Sequence, residues 1–553
     1  MPPSISLSPL PSRLASLGPA ARAWLLGLLA LLLFCAQAKG RAIIGFDSRF
    51  VLFAQEMLRH GPSLFPTTYG EPYPDYPGTS TLLIYLLSLP FGRVDSLGAW
   101  LPSALAAAAV VALVYRLLEP TSQRWALSAV ALLLLTATFV SETRAVSLDQ
   151  MVSALALGAF YLARRDHGRP LPPLLARLGA LLLGGFLVRG PLGLVIPAAA
   201  VCAFWLAARD WRRLLVFGPF AAALLVLACL ALLGAARLSG GPGFVREVLQ
   251  MQVIGRLDGS AGASSPFYYF LSAPGNYALA FPLALPALLL LPGACGRGED
   301  EGTRTLLLAC VLAALLVMLG LSVPQAKKAR YILAAAPYLA IVAAYPFQVA
   351  GSRLASALRW VMQALWAILP GVLALALAFA WRRLGGHLQG YHLALYGTLA
   401  LLLVLQGSAL WMLRHPRLRA PGLAGCAVLA LWAAYILAFE PMERGLYGTR
   451  AFALAADAAM AARPAPVVFV GLGRDAKAIK YLVNLDHDLA PGFIDQDSQL
   501  QGLQGPLYLV MSAARRDALR ASSVAGLKPL VAADFDHEPH VLLYLPAAQQ
   551  AHE

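Results

Sequence analysis

The first stretch of the sequence with residues suited to chemistry is GFDSRFVLFAQEML, residues 45–58. It places Asp47, Arg49 and Glu56 directly after the first long apolar run. A carboxylate can orient or deprotonate an attacking group, and an arginine can hold an anion. This stretch therefore raises the question of what chemistry is carried out at a membrane edge.

Two further acidic segments follow along the chain. GEPYPDYPGTS, residues 70–80, is rich in proline and glycine, which predicts an extended loop that presents Glu71, Tyr73, Asp75 and Tyr76. SETRAVSLDQM, residues 141–151, places Asp149 at the start of an apolar helix. A solvated connector and a helix cap, respectively, are the alternative interpretations of these two segments.

Basic side chains are found in two other segments. LSVPQAKKARYIL, residues 321–333, contains Lys327, Lys328 and Arg330, and residues 244–271 contain Arg246 and Arg256. The second segment ends in aromatic residues that include Tyr268 and Tyr269, which would also suit a membrane interface. Acids together with bases favour transfer of a group from a phosphate leaving group, although lipid headgroup contacts would also explain the bases.

The composition places these residues in a polytopic membrane protein. Of 553 residues, 59% are hydrophobic and only 13% are charged, and the mean hydropathy is +0.68. A membrane span needs roughly 20 apolar residues in a helix. The net charge of +15 lies in short loops rather than on one basic face, which indicates membrane topology and excludes a nucleic-acid-binding protein.

About thirteen transmembrane helices are predicted. They cover residues 23–39, 97–118, 124–141, 146–163, 175–188, 190–207, 214–235, 275–293, 304–321, 331–349, 358–380, 393–413 and 421–438. The first could instead be a signal peptide. Arginines in alternate loops place the N-terminus in the cytoplasm, and residues 79–92 are predicted to lie at the outer interface.

This topology gives a transmembrane domain at residues 1–440 with outer loops 40–96 and 236–275, and a third outer segment at 322–330. Residues 441–553 are predicted to form a small soluble α/β domain on the periplasmic side. PVVFVGL and PLYLVMS have the pattern of buried strands, and DAKAIKYLVNL has helical spacing. GLGRD predicts a tight turn, because it lacks the third glycine of a dinucleotide fingerprint.

The six cysteines lie in or beside apolar segments without metal-binding spacing and are predicted to be small core residues. They are Cys35, Cys202, Cys229, Cys295, Cys310 and Cys426.

The order of the charged motifs resembles that of the aminoarabinose transferases and protein O-mannosyltransferases, which are membrane glycosyltransferases with the GT-C fold. The motifs are FDSRFVLFAQEML, GEPYPDYP, RAVSLDQM, VRGPLGL, IGRLDG followed by PFYYFL, and SVPQAKKARYILAAAPY. The resemblance implies an all-α polytopic membrane protein of the GT-C fold with a C-terminal α/β domain.

The resemblance also implies roles for individual residues. Asp47 resembles the catalytic acid of the first outer loop, Asp75 falls where the family has a glutamate, and Asp149 falls on the acid after the third span. Lys327 matches the lysine of the family's S-x-K motif, and Arg256 matches the loop arginine. In the family, these basic positions hold the polyprenyl phosphate of the donor.

Three departures from the family pattern stand out. Phe46 occupies the first of two positions that are usually acidic, and Tyr76 replaces a lysine, so that Lys328 or Arg330 would have to supply that phosphate contact. No histidine occurs in residues 244–271, where the aminoarabinose transferases have one. A divalent metal is therefore left open, and no other cofactor is assigned.

The sequence thus predicts a glycosyltransferase of a bacterial inner membrane, using a polyprenyl-phosphate sugar donor. The acceptor would be lipid A, another envelope glycan or lipid, or a protein. The catalytic candidates are Asp47, Asp75 and Asp149. The substrate-binding candidates are Arg49, Tyr73, Tyr76, Arg256, Tyr268, Tyr269, Lys327, Lys328 and Arg330. A transporter or flippase of an anionic lipid-linked substrate is the alternative, and an assembly factor is a third.

Overall fold

The computed structural model describes residues 17–260, 262–292, 300–384, 389–500, 503–519, 524 and 526–547. The chain folds into two compact units. The described residues of the first unit fall within 1–38, 74–80 and 100–438, and those of the second within 39–73, 81–99 and 439–553. The second unit therefore includes most of the predicted loop 40–96, while the predicted division at residue 440 stays a prediction. Cys295 lies outside the described residues.

The first unit is helical throughout. Its α-helices are Pro19–Cys35, Ser96–Leu118 (which begins in the second unit), Gln123–Leu134, Ala137–Thr143, Leu148–Arg165, Leu171–Arg189, Pro191–Ala207, Trp211–Leu249, Gly255–Leu257, Tyr268–Asn276, Ala280–Leu288, Glu301–Ser322, Ala336–Ala343, Arg353–Leu384, His392–Leu413 and Arg419–Ala433. Shorter 3-10 segments lie at Ala329–Ala335, Tyr345–Phe347 and Gln389–Tyr391, and π-helical segments at Gln250–Ile254 and Ala434–Phe439.

The number of membrane spans agrees broadly with the sequence prediction. Among the described residues, eight helices are long and apolar enough to cross a membrane, or nine if one bent pair counts as a span. The other predicted spans fall on helices that are shorter, such as Pro19–Cys35 and Pro191–Ala207, or that carry more charge, such as Leu148–Arg165. The chain is a multi-pass membrane protein.

The bent pair shows how the fold satisfies a broken helix inside an apolar environment. The predicted span 124–141 is divided into Gln123–Leu134 and Ala137–Thr143, which meet at an angle of 70°. The indole of Trp432 donates a hydrogen bond to the Leu134 carbonyl at 3.0 Å, and the Thr136 hydroxyl donates to the Leu132 carbonyl at 2.9 Å. Backbone groups freed by the bend thus find partners without water.

The second unit contains a mixed five-stranded sheet. Its strands are β3 (Val467–Val470), β4 (Gly492–Ile494), β5 (Leu507–Ser512), β6 (Val531–Phe535) and β7 (Glu538–Leu545), after a short hairpin of β1 (Thr67–Thr68) and β2 (Glu71–Pro72). The order is β4-β3-β5-β7-β6, with β3 parallel to β4 and β5, and β7 antiparallel to β5 and β6. The two predicted buried strands are β3 and β5.

Helices complete the second unit. They are Asp47–His60, Leu82–Ser88, Glu440–Tyr447, Thr449–Ala461, Ala478–Leu482 and Ala513–Ala518. Leu52 of the first of these helices belongs to the buried cluster that contains Phe452, Phe469 and Tyr481. Burial of this apolar face fixes the helix that begins at Asp47 against the core of its own unit. The predicted turn GLGRD has positive φ at Gly471 and Gly473.

Candidate functional site

A buried ion-pair cluster lies at the N-terminal end of the helix Leu148–Arg165. Asp149, which is 5% exposed, pairs with Arg189, and its Oδ2 lies 3.5 Å from Nε of Arg330. The guanidinium groups of Arg189 and Arg330 lie 4.7 and 5.8 Å from the ring centroid of Tyr331. One carboxylate therefore faces two cations.

A close approach of two helices positions Arg189. A Cβ atom on Gly185 would lie 1.9 Å from the Gly193 carbonyl oxygen, and a Cβ on Gly193 would lie equally close to Gly185. Only glycine allows the helices Leu171–Arg189 and Pro191–Ala207 to approach in this way. The turn between them passes through Gly190, whose φ is +61°, and it places Arg189 at the end of its helix.

A second group of predicted residues meets around Arg256 in the same unit. Arg256 donates from Nη2 to the Tyr76 hydroxyl at 3.4 Å and from Nε to the Met251 carbonyl at 3.3 Å. Its guanidinium also lies 5.8 Å from the Tyr76 ring centroid. The buried Asp75 accepts a hydrogen bond from the Gln252 side chain at 3.1 Å. The structure thus brings Asp75, Tyr76 and Arg256 together.

Backbone hydrogen bonds join the Arg256 segment to the segment that carries Lys327. The amides of Gln325 and Ala326 donate to the Arg256 carbonyl at 2.9 and 3.2 Å. The Ser264 amide donates to the Gln325 carbonyl at 3.0 Å. The ammonium of Lys327, which is 9% exposed, donates to the Ser264 carbonyl at 3.3 Å. The two basic segments predicted from the sequence are therefore neighbours.

These bases retain hydrogen-bonding capacity. Arg256 has five N–H donors, of which two are engaged by Tyr76 and Met251, and Lys327 has three, of which one is engaged by Ser264 within the described part of the chain. The remaining donors suit an anion with several oxygens, and a phosphate is such an anion. The site can thus bind a phosphate group and stabilise its developing charge as a leaving group.

Three other predicted residues take different positions in this unit. Tyr269 is buried and Tyr268 is half-buried, and their rings contact edge to face at a centroid distance of 5.3 Å. Lys328 is exposed, whereas the neighbouring Lys327 is buried. The sequence did not predict this difference in burial between two adjacent lysines.

Asp47, Arg49 and Tyr73 belong to the second unit. Asp47 is the first residue of the helix Asp47–His60 and is 8% exposed, and a carboxylate at this position is stabilised by the helix dipole. The Arg49 guanidinium lies 5.3 Å from the ring centroid of Phe46 and 5.5 Å from that of Tyr73. The Tyr73 ring in turn contacts Phe53 at 5.3 Å. These contacts hold the Arg49 guanidinium in a fixed aromatic setting.

Two other acids of the second unit, Glu71 and Glu56, are not among the catalytic candidates. Glu71 pairs with Arg474 at 2.6 Å on the surface. Glu56 is buried, and burial together with the nearby charge of Asp488 raises the pKa of its carboxyl, although His60 and Arg59 oppose that effect.

A basic cavity of about 510 Å³ also lies within the second unit. Five cations and two acids line it: Lys39, Arg41, Arg59, Arg93, Arg450, Asp95 and Asp486. Although Arg59 is already paired with Asp488, the lining has more cations than acids and would attract an anionic ligand.

Sequence reasoning missed Arg189 and Gln252. Arg189 lies within the motif VRGPLGL, between two predicted spans and on the predicted outer side. An arginine there runs against the usual placement of positive charge in cytoplasmic loops, and this was the available signal. Gln252 carried no signal, because a glutamine in a loop has no characteristic spacing.

The loop 244–271 does not fit a bound metal. Its metal-ligating side chains are Glu247 and Asp258, without histidine or cysteine. In the described part of the chain, no group of three metal-ligating side chains involves this loop. The metal that the family resemblance left open therefore finds no ligand set there.

Sequence comparisons agree with the predicted resemblance. Residues 77–233 match the family of dolichyl-phosphate-mannose-protein mannosyltransferases. The undecaprenyl phosphate-alpha-4-amino-4-deoxy-L-arabinose arabinosyl transferase of Serratia proteamaculans is 27% identical over 54% of each chain. The corresponding protein of Yersinia pestis (strain Pestoides F) is 31% identical over 36% of each chain. The matched part spans about half or less of these relatives' length.

Structural comparison extends the similarity to nearly the whole chain. ArnT from Cupriavidus metallidurans, in a crystal structure bound to undecaprenyl phosphate, superposes with a TM-score of 0.70. The identity is 16%, and the match covers 96% of this chain and 100% of that one. The apo structure gives a TM-score of 0.69 at 17% identity. These matches confirm the predicted fold.

Proposed function

We propose that this protein, which has the GT-C fold of the aminoarabinose transferases, is a glycosyltransferase that takes its sugar from a polyprenyl-phosphate carrier. The observation that carries the proposal is the pair of adjoining basic segments, in which Arg256 and Lys327 retain free donors. The relatives' names supply the donor class, because they use undecaprenyl-phosphate-linked aminoarabinose. The two arginines that Asp149 holds, Arg189 and Arg330, support the same assignment.

In the proposed mechanism, Arg256 and Lys327 bind the phosphate of the donor. As the bond between the anomeric carbon and the phosphate oxygen breaks, negative charge grows on that oxygen, and both cations stabilise it. Asp149 holds Arg189 and Arg330 in place by pairing with them. Asp75, held by Gln252, lies beside the Tyr76–Arg256 contact and positions it.

We assign the role of general base to Asp47. If the acceptor is a hydroxyl, its proton must leave as the new glycosidic bond forms, and Asp47 would accept it. If the acceptor is a phosphate, it is already anionic, and Asp47 would orient it instead. Arg49 lies in the same helix turn and would contact the anionic part of a substrate.

The basic cavity favours an anionic acceptor such as lipid A. Its cations are drawn from residues 39–41 and 93 and from the helices Asp47–His60 and Thr449–Ala461, all within the second unit. If it receives the acceptor, Arg93→Ala and Arg450→Ala should raise the acceptor KM and leave the donor KM unchanged. An unchanged acceptor KM in both variants would remove the cavity from the proposal.

The reaction takes place, on this proposal, at the periplasmic face of a bacterial inner membrane. The arginine distribution supports this orientation and a periplasmic C-terminal domain. Alkaline phosphatase fused after residue 445 should be active. An inactive fusion, together with a fluorescent cytoplasmic-type reporter at the same position, would reverse the orientation.

The direct experiment is to incubate the purified protein with radiolabelled polyprenyl-phosphate sugars and envelope acceptors that include lipid A. Transfer of label to an acceptor is the expected result. Movement of the labelled lipid between leaflets of proteoliposomes, without transfer to any acceptor, would instead establish the flippase alternative.

A further inference from the structure

We propose that Glu56, His60 and Asp488 form a binding site for a divalent transition metal such as Zn²⁺. The site lies within the second unit, outside the loop 244–271, and does not depend on the proposed sugar transfer. Its ligand atoms, one from each side chain, all lie within 4.8 Å of one another. Among the residues that the structure describes, no other group of three metal-ligating side chains has its ligand atoms this close together.

The helix Asp47–His60 supplies two of the ligands. Glu56 and His60 are four residues apart, so their side chains lie on the same face of the helix one turn apart. Glu56 is buried, and His60 is 54% exposed at the end of the helix. One ligand is thus fixed by packing, while the other can adjust its position.

The segment that follows the helix Ala478–Leu482 supplies the third ligand. Gln55 donates to the Val483 carbonyl at 3.1 Å, and Arg59 donates to the Leu485 carbonyl at 2.8 Å. These contacts fix the segment against the helix. They bring Oδ2 of Asp488 to 2.9 Å from Nε2 of His60.

Supporting hydrogen bonds surround the ligands. Arg59 donates to Oδ1 of Asp488 at 2.9 Å, which leaves Oδ2 directed towards His60. The Thr67 hydroxyl donates to Oε2 of Glu56 at 3.3 Å. Carboxylate ligands of metals are generally oriented by such second contacts. An ordinary ion pair between His60 and Asp488 would not require a buried glutamate held beside it.

The donor set selects the class of metal. One imidazole nitrogen and two carboxylate oxygens suit Zn²⁺, whereas Mg²⁺ and Ca²⁺ prefer oxygen ligands alone. Tetrahedral zinc with bonds of about 2.1 Å needs ligand atoms roughly 3.4 Å apart. Nε2 of His60 and Oδ2 of Asp488, now 2.9 Å apart, would therefore separate slightly as both exposed side chains adjust around an ion bound to Glu56. Water would complete the coordination. The two carboxylates would offset the charge of the ion, and Arg59 would remain bonded to Oδ1 of Asp488.

The test uses the full-length protein without a polyhistidine tag, stripped with a chelator and titrated with Zn²⁺ by calorimetry. We expect the wild type to bind one equivalent of Zn²⁺. His60→Ala and Asp488→Asn should each lower the affinity for Zn²⁺ at least about tenfold. His487→Ala is the matched control, because His487 is equally exposed, at 54%, and pairs with Asp457 instead. It should leave the affinity unchanged.

Thermal unfolding provides a second readout that does not depend on activity. Zn²⁺ should raise the Tm of the wild type and of His487→Ala but not that of His60→Ala, because a ligand that binds only the folded state stabilises it. The proposal is overturned if the wild type and His60→Ala bind Zn²⁺ equally. It is also overturned if Mg²⁺ binds this site more tightly than Zn²⁺. Since His60 is exposed, its replacement should not prevent folding.

Discussion

The helix Leu148–Arg165 has a buried aspartate surrounded by arginines near each end, and the two arrangements differ. At its start, Asp149 pairs with Arg189, which is 2% exposed, and Arg330. Just past its end, Asp166 pairs with Arg165, Arg169 and Arg177, which are 39–65% exposed. The helix is about 27 Å long, close to the thickness of the hydrocarbon core, so the two clusters would lie on opposite sides of the membrane if this helix is the predicted span 146–163.

The solvent exposure of the arginines distinguishes a charge cluster that orients the chain from one that could bind a ligand. The arginines around Asp166 have solvent available, so they need no partner and serve to orient the chain. Arg189 is enclosed, and leaving a buried cation unpaired is costly. The cluster at Asp149 satisfies this requirement with a single carboxylate and encloses its arginines beside the ring of Tyr331, so it is a candidate for ligand binding.

Asp47, the proposed general base, should give the greatest loss of activity when it is replaced. Asp47→Asn keeps the side-chain shape but removes its basicity, so the rate of transfer should fall by roughly 10²–10⁴-fold, with donor binding retained. Single-turnover kinetics measure the change. Recovery at high pH would indicate deprotonation of a hydroxyl, and a loss independent of pH would indicate orientation of a phosphate.

If Asp47→Asn transfers sugar at the wild-type rate, Asp47 is not the catalytic acid, and Asp75 or Asp149 takes that role. That result would also show that the first acidic motif had been aligned wrongly.

The next effect concerns the two neighbouring lysines. Lys327→Ala removes a buried cation from the proposed phosphate site and should lower kcat/KM for the donor by roughly 2–3 kcal/mol, about 30- to 150-fold. Lys328→Ala removes an exposed cation and is the matched control, with an expected change of less than about threefold. Equal effects of the two substitutions would contradict the buried-site assignment.

The third prediction compares the same substitution, Asp→Asn, at the two ends of the helix Leu148–Arg165. Asp149→Asn should lower kcat/KM per folded molecule by at least about tenfold, because Arg189 and Arg330 lose the charge that holds them. Asp166→Asn should leave kcat/KM within about twofold of the wild type. Folded fractions from size-exclusion chromatography provide the normalisation. If the two variants lose activity equally, the functional distinction between the ends fails.

The last and weakest effect is a pH dependence of the stability that Asp166 contributes to the folded state. A bidentate hydrogen bond from Arg165, with the charges of Arg169 and Arg177, lowers the pKa of Asp166. A carboxyl with a lowered pKa stabilises the folded state above its unfolded pKa of about 3.9, and this contribution disappears as the pH falls through the folded value.

The Tm difference between the wild type and Asp166→Asn should therefore be constant from pH 7 to about pH 5 and shrink below that. The free-energy difference is expected to be about 1 kcal/mol, because the arginines are exposed to water. A difference that grows on acidification would contradict the sign of the pKa shift.

Much of the fold could be predicted because hydrophobic length and loop charge are local signals. The helix Ser96–Leu118 and the strand β5 agree closely with their predicted ranges. The bend between Leu134 and Ala137 was not predicted, since no proline or glycine marks it and its carbonyl is satisfied by the distant Trp432. Similarly, the predicted span 275–293 contains a break at Leu279, whose φ is +71°.

The candidate site was predictable in its residue types but not in its pairings. The motifs identified Asp149 and Arg330, yet the pairing of Asp149 with Arg189 depends on the approach of Gly185 to Gly193. Lys327 and Lys328 are adjacent in the sequence, and only the backbone bonds around Gln325 explain why one is buried. Contacts of this kind join residues that are tens to hundreds of positions apart, so no local pattern encodes them.

Arg256 and Lys327 are proposed to bind the carrier phosphate. The most direct measurement is the Kd of undecaprenyl phosphate for the purified protein, compared among the wild type, Arg256→Ala, Lys327→Ala and Asp166→Asn. Each of the first two substitutions should weaken binding at least about tenfold, and Asp166→Asn should leave it unchanged. Equal Kd values in all four proteins, each shown to be folded, would contradict the account.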